Sequence, residues 1–156
     1  MCIRDRRYTV PGRTVLDLGC GSGILSIAAL ALGASAAVAV DIDPKAVGVA
    51  YENAAMNGIG ADRYTVRAGN VLGDEALAAE LAERRYALVL ANIVADVIIP
   101  LSAQAGRFLA PEGVFLCSGI IDTRAAEVRA ALEKNGLEVV ERREQKGWVA
   151  FAARMK

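Results

Sequence analysis

Histidine is absent from the 156 residues. That removes Ser-His and Cys-His nucleophile pairs, and histidine metal sites, from this chain. Cysteine is scarce and odd in number. Cys2, Cys20 and Cys117 show none of the close spacings of a zinc or redox site, so no metal is expected. Cys20 and Cys117 read instead as small buried apolar residues. A dominant charge is also missing: Lys plus Arg and Asp plus Glu number 18 each. No global basic field exists, and direct nucleic-acid binding is not expected. No apolar run reaches the ~18 residues needed to cross a bilayer, and Met1 to Arg7 is too charged for the core of a signal peptide. Membrane attachment is not expected, and the cytoplasm is the expected compartment. Without a protein-derived nucleophile, the chemistry favours a cofactor that brings its own reactivity.

What the chain does contain is apolar surface, at 54% of residues. That share suits one domain built on a parallel sheet covered on both faces. Strand-like and helix-like segments alternate, as in a βαβ protein. Strands are expected at Thr14 to Leu18, Ala36 to Val40, Tyr64 to Arg67, Tyr86 to Ala91 and Val114 to Cys117, the last after a Pro111-Glu112-Gly113 turn. Helices are expected from about Ser22 to Leu32, from Asp43-Pro44 to about Asn57, from Asp74 to Arg84 and from about Ala95 to Phe108. Pro100 marks either a start or a kink in the last of these. A further helix runs to Lys134, capped by Asp122 or Thr123. Two closing strands, Leu137 to Arg142 and Trp148 to Arg154, meet through Gln145-Lys146-Gly147. The expected fold is α/β: a doubly wound, mostly parallel seven-stranded sheet with an antiparallel closing hairpin. Residues 1–12 read as a tail or linker remnant, out of character with the rest.

The most informative stretch is VLDLGCGSG, residues 15 to 23. It places Gly19, Gly21 and Gly23 at the carboxyl end of a strand that carries the acid Asp17, just where a helix begins. In doubly wound sheets the ligand crevice opens at that edge. Glycine allows the tight turn and a close backbone approach, and free N–H groups at the helix start add partial positive charge. A dinucleotide fingerprint, G-x-G-x-x-G, needs its third glycine one residue later, where Ile24 stands, so a dinucleotide site is not expected. Asp41 ends the second strand, placed to accept from both hydroxyls of a ribose; Asp43, before Pro44, suits helix capping better. Asn92 ends the fourth strand at the same edge. Its amide can position a cofactor or a substrate amine, although such an Asn alone is as often a turn former.

The series Asp17-Leu18-Gly19-Cys20-Gly21-Ser22-Gly23, Asp41-Ile42-Asp43-Pro44, Ala91-Asn92-Ile93 and Ser118-Gly119-Ile120 resembles the ribosomal protein methyltransferases that modify the eleventh protein of the bacterial large ribosomal subunit. The resemblance runs from about Arg13 to Lys156. The first motif is shared by very many class I methyltransferases, whereas Ala-Asn-Ile with Ser-Gly-Ile is more specific. It implies a class I, Rossmann-like domain over 13–156 that takes S-adenosyl-L-methionine (SAM), with cofactor contacts at Gly19, Asp41 and Asn92 and, within the first motif, at Asp17, Gly21 and Gly23. It also implies methyl transfer to amino groups of a large-subunit ribosomal protein. Members of the family carry an amino-terminal substrate domain and a Thr- and Gly-rich segment with a histidine, which this sequence lacks, so it resembles an amino-terminally truncated member. No general base stands out, and none is assigned.

Three weaker candidates remain. Ser118-Gly119 is pocket wall or ordinary loop, Trp148 reads as core rather than a substrate platform, and Arg84-Arg85 and Arg142-Arg143 read as solvated charges. The rival functions are a methyltransferase acting on a small molecule or nucleic acid, and a SAM-binding module without turnover. Asn92 lacks the Pro-Pro-aromatic run that resembles base amino-group methylases.

Overall fold

The computed structural model describes Tyr8 and residues 11–156. Cys2 and most of the expected tail over 1–12 lie outside the described residues. The order is β1 (Thr14–Leu18), α1 (Ile24–Ala31), β2 (Ala36–Asp41), α2 (Pro44–Met56), β3 (Tyr64–Ala68), α3 (Glu75–Ala82), β4 (Tyr86–Asn92), α4 (Ala95–Phe108), β5 (Leu109–Ile121), a 3₁₀ turn (Asp122–Arg124), α5 (Ala125–Lys134), β6 (Leu137–Gln145) and β7 (Trp148–Met155). These strands form one seven-stranded sheet in the order β3-β2-β1-β4-β5-β7-β6. β1 to β5 pair in parallel; β7 runs antiparallel between β5 and β6. The expected fold class is the observed one. The chain order reverses between β1 and β4, which pair directly, so the crevice of a doubly wound sheet opens above them.

Strand periodicity divides the core into two halves, one on each face. Leu16, Leu18, Val38, Val40 and Val89 pack with Leu77, Ile98, Leu101 and Val128 of α3, α4 and α5. Val15, Ala37, Ala39, Leu88 and Leu90 pack with Ala29 and Leu30 of α1 and Ala50 and Ala54 of α2. The Ala-rich stretch from Ala28 to Ala39 is what lets α1 lie close to the sheet: Ala29, Ala34, Ala37 and Ala39 are all buried. Cys20 and Cys117 are buried free thiols, as expected of small apolar residues.

Local chemistry sets most boundaries. Asp43 caps α2, its Oδ1 accepting from Lys45 N at 2.9 Å with Pro44 following, and Asp74 caps α3 through Leu77 N. α4 begins at Ala95 and runs through Pro100; the bond Pro100 cannot make would have gone to the carbonyl of Asp96, in the exposed first turn. Three expectations need correction. Neither Asp122 nor Thr123 caps the following helix by its side chain; the chain enters α5 through a 3₁₀ turn that supplies local backbone bonds instead. Pro111-Glu112-Gly113 does not precede the fifth strand but bulges within it. Tyr86 pairs Leu109 and Leu88 pairs Val114, so the intervening residues loop out, with Glu112 at φ +63°. Trp148 is 53% exposed rather than core. It opens β7 beside the hairpin turn, paired with Gln145 and Ile121, and by strand alternation lies on the face away from α5.

Candidate functional site

Leu18 ends β1 in a buried position, and the chain then turns through three left-handed glycines: Gly19 (φ +73°), Gly21 (φ +54°) and Gly23 (φ +81°). Two of them are also required by space. A Cβ on Gly19 would lie 2.5 Å from Ile93 Cγ2, and one on Gly23 would lie 2.6 Å from the Tyr64 hydroxyl and 3.2 Å from Ala50 Cβ. Both distances are well inside contact, so the loop closes only with glycine. Backbone bonds from Gly19 N and Cys20 N to the Val40 carbonyl, at 2.8 and 3.1 Å, tie the loop to β2.

Asp41 completes the loop. Its Oδ2 accepts from Gly21 N at 2.8 Å and its Oδ1 from Asp43 N at 2.9 Å. A carboxylate offers about four acceptor sites, so Asp41 fixes the loop and keeps lone pairs for a diol. The cap expected from sequence is the observed one: Asp43, not Asp41, caps α2.

Beside this loop lies a cleft of about 190 Å³, lined by Gly19, Asp41, Asn70, Leu72, Ile93 and Val97, among others. Its walls are mainly aliphatic, with Asp41 and Asn70 as polar groups, a composition suited to a flat heterocycle joined to a sugar. Gly69 to Leu72, which follow β3, were missed in the sequence. The available signal was an amide, Asn70, directly after a strand of the same parallel set. Gly69 N donates to the Asp41 carbonyl at 2.8 Å, and Asn70 Oδ1 accepts from Leu72 N at 3.1 Å, which holds this segment against Asp41.

The sequence candidates do not all share one surface. Gly19 and Asp41 line the cleft. Gly21 is bound to Asp41, and Gly23 joins the loop to α1. Asn92 is exposed at the end of β4, opposite Ser118 of β5, whose Oγ donates to Asn92 Oδ1 at 3.1 Å. Gly119, at φ +81°, leaves room for that amide: a Cβ there would lie 2.9 Å from Asn92 Oδ1. The Ser-Gly pair thus supports Asn92. Asp17 stands apart. It is buried beneath the loop at 1% exposure, its Oδ2 without a partner. Burial pushes its carboxyl up to about 6, with neighbouring Ser26 opposing the rise and the Asp41 charge adding to it. Burial and the charges of Asp17 and Asp41 push the Cys20 thiol up to about 12, so it stays neutral. Among the described residues no group of three or more Cys, Asp or Glu side chains is arranged to hold a metal ion, and no helix is long and apolar enough to cross a membrane.

Comparison with known proteins places these features in context. The family model for ribosomal protein L11 methyltransferase matches residues 1–156. The chain is 49% identical over 157 residues to a ribosomal protein L11 methyltransferase of Pelotomaculum thermopropionicum, covering 100% of this chain and 48% of that protein. A relative with the same name from Lachnoclostridium phytofermentans is 40% identical over 168 residues, covering 99% and 50%. The chain spans about half the length of these curated relatives. Among solved structures, a ribosomal protein L11 methylase from Lactobacillus delbrueckii subsp. bulgaricus superposes with a TM-score of 0.88 at 31% identity, over 99% of this chain and 76% of that one. A putative SAM-dependent methyltransferase from Streptococcus mutans, 15% identical, shares the fold at a TM-score of 0.83, over 97% of this chain and 47% of that one.

Proposed function

The chain belongs to the ribosomal protein L11 methyltransferase family, and from that premise we propose that residues 13–156 form a SAM-binding domain that transfers methyl groups to amino groups of ribosomal protein L11 in the cytoplasm. The observation that carries the proposal is the tie between Gly21 N and Asp41 Oδ2 at the mouth of the cleft. It joins a glycine loop that admits no side chain at Gly19 to an acid with acceptor capacity left for a ribose. The aliphatic walls and Asn70 fit an adenine. Gly19, Gly21 and Asp41 would hold the cofactor's sugar and amino-acid parts, and Asn92 would face its reactive end. Gly23 acts from behind, by fixing the loop.

When bound, SAM supplies a methyl made electrophilic by its sulfonium, so the protein's own contribution is alignment and exclusion of water. Asn92 is suited to orient the acceptor. Its Oδ1 accepts from Ser118 with one lone pair and keeps a second for an incoming amine. A lysine must shed its proton before it attacks, from a reference value near ~10.4; no residue here is assigned as the base.

The lysine side chains of L11, with its N-terminal amine as a further acceptor, are the proposed substrates. The test compares turnover on purified L11 by this chain and by a version extended with the upstream half of a relative. Alignment of acceptor and donor supplies roughly 7–11 kcal/mol of barrier reduction, so the extended protein should be faster by orders of magnitude, with SAM bound by both. Equal rates would show that this domain recognises L11 unaided. Binding of SAM with no transfer by either protein would reduce it to a cofactor-binding module.

A further inference from the structure

In the run Gly21-Ser22-Gly23 a single side chain stands between two left-handed glycines, so the peptides on either side of Ser22 can turn over with little hindrance. Three hydrogen bonds decide which way they face. Gly21 N donates to Asp41 Oδ2 at 2.8 Å, and Gly23 N donates to the Cys20 carbonyl at 2.8 Å. The third bond comes from α2, where Asn53 Nδ2 donates to the Ser22 carbonyl at 3.0 Å across 31 positions of sequence. Asn53 does not line the cleft.

Helix stability does not account for an amide at this place. Asn53 stands inside α2, where it is a poorer helix former than the Ala54 and Ala55 that follow it. Its backbone carbonyl serves the helix end, accepting from Asn57 Nδ2 at 2.8 Å; its side chain is directed to the loop instead. One turn earlier, Ala50 Cβ would lie 3.2 Å from a Cβ on Gly23. α2 therefore meets the loop through two successive turns, by packing at Ala50 and by a donor at Asn53.

The direction of the Ser22 carbonyl follows from the two halves of the core. The cleft is lined by Leu18, Val40, Val71 and Leu101, which belong to one half. α2 packs through Ala50 and Ala54 into the other. A carbonyl held by Asn53 thus points to the face away from the cleft. If this peptide turned over, Gly23 N would lose the Cys20 carbonyl and the Ser22 oxygen would stand toward the ligand. Backbone N–H groups attract a carboxylate, whereas a carbonyl oxygen repels it.

We propose that Asn53 is a positioning residue for the amino-acid end of the cofactor, holding the Ser22 carbonyl toward α2 so that no oxygen of the glycine loop faces the SAM carboxylate. The proposal rests on the SAM reading above and extends it to a residue outside the cleft that acts through Ser22.

The experiment is calorimetric titration of the wild type, Asn53→Asp and Asn53→Ala with two ligands. One is SAM; the other is methylthioadenosine, which keeps the adenosine and the sulfur but lacks the amino-acid end. Asn53→Asp preserves the shape of the side chain and, once ionised, has no proton to donate. Its affinity for SAM should fall about tenfold, while methylthioadenosine stays within about twofold of the wild type. The unliganded variant should melt close to the wild type. Asn53→Ala should show the same selective loss, and it carries the comparison if Asn53→Asp does not fold. A merely structural role would weaken both ligands alike. That result, or an unchanged affinity for SAM, would overturn the positioning role while leaving SAM binding intact. No binding of SAM by the wild type would overturn the cofactor reading, and the positioning role with it.

Discussion

The carboxyl edge of β1 and β2 and the β6–β7 hairpin solve the same problem, reversing the chain at a sheet edge, in opposite ways. The hairpin turns on Lys146 (φ +51°) and Gly147 (φ +81°), a two-residue turn with both centres left-handed, matched to strand twist. A Cβ on Gly147 would meet nothing nearer than Asp122 Oδ2 at 3.8 Å. The glycine loop needs three left-handed residues, has no room for a side chain at two of them, and lies over a buried acid with an orphan oxygen. One turn follows local rules and tolerates change; the other departs from them where a ligand is expected. Departures of this kind concentrate at functional sites.

The sharpest way to break that contrast is to add one methyl group to each turn. Gly23→Ala meets the left-handed cost of ~1–2 kcal/mol and overpacking against Tyr64 and Ala50 of ~1–3 kcal/mol. Gly147→Ala meets only the first. Urea unfolding should separate the two variants by at least ~1 kcal/mol, and equal losses would erase the difference between the turns.

Proton dependence comes next in size. Asp17 has its folded value raised from 3.8 to about 6 by burial, so the folded chain holds the proton more tightly than the unfolded one. Its contribution to stability is therefore most favourable below about pH 4, declines as pH rises to about 6, and is least favourable above that. The span is on the order of 2–3 kcal/mol. Asp17→Asn should accordingly be more stable than the wild type at pH 7, with the gain vanishing by pH 4. A variant less stable at pH 7 would show that the charge supports the fold.

Smaller effects should divide between two neighbouring acids. Asp41→Ala frees Gly21 N and removes the proposed ribose acceptor, and should weaken SAM binding roughly ten- to a hundredfold. Asp43→Ala removes only the α2 cap, for ~1 kcal/mol of stability. An affinity loss at Asp43 with none at Asp41 would reverse their roles.

Period and punctuation revealed what depends on short-range rules: the alternation of elements, the Asp43-Pro44 cap, the glycine spacing and the strand-end positions of Asp41 and Asn92. What escaped notice depends on packing between distant segments. Nothing in Ala-rich α1 marks Ser26 as the partner of Tyr64, 38 residues away. Trp148 is apolar and sits on a strand, yet by strand alternation it shares the face of Ala152, opposite the one on which α5 packs. The bulge at Pro111 to Gly113 has the composition of a turn, and only its register against β4 shows that the strand resumes on the same line. Asn70 was hidden by the shortness of β3, because the cleft is formed by the loop that follows the strand.

In the proposed function, the glycine loop, Asp41 and the aliphatic cleft make a SAM site and not a dinucleotide site. Titration calorimetry of this chain with SAM and, separately, with NAD tests it most directly. Saturable binding of SAM, with no heat from NAD at the same concentrations, is the expected result. Binding of NAD while SAM is left unbound would contradict it.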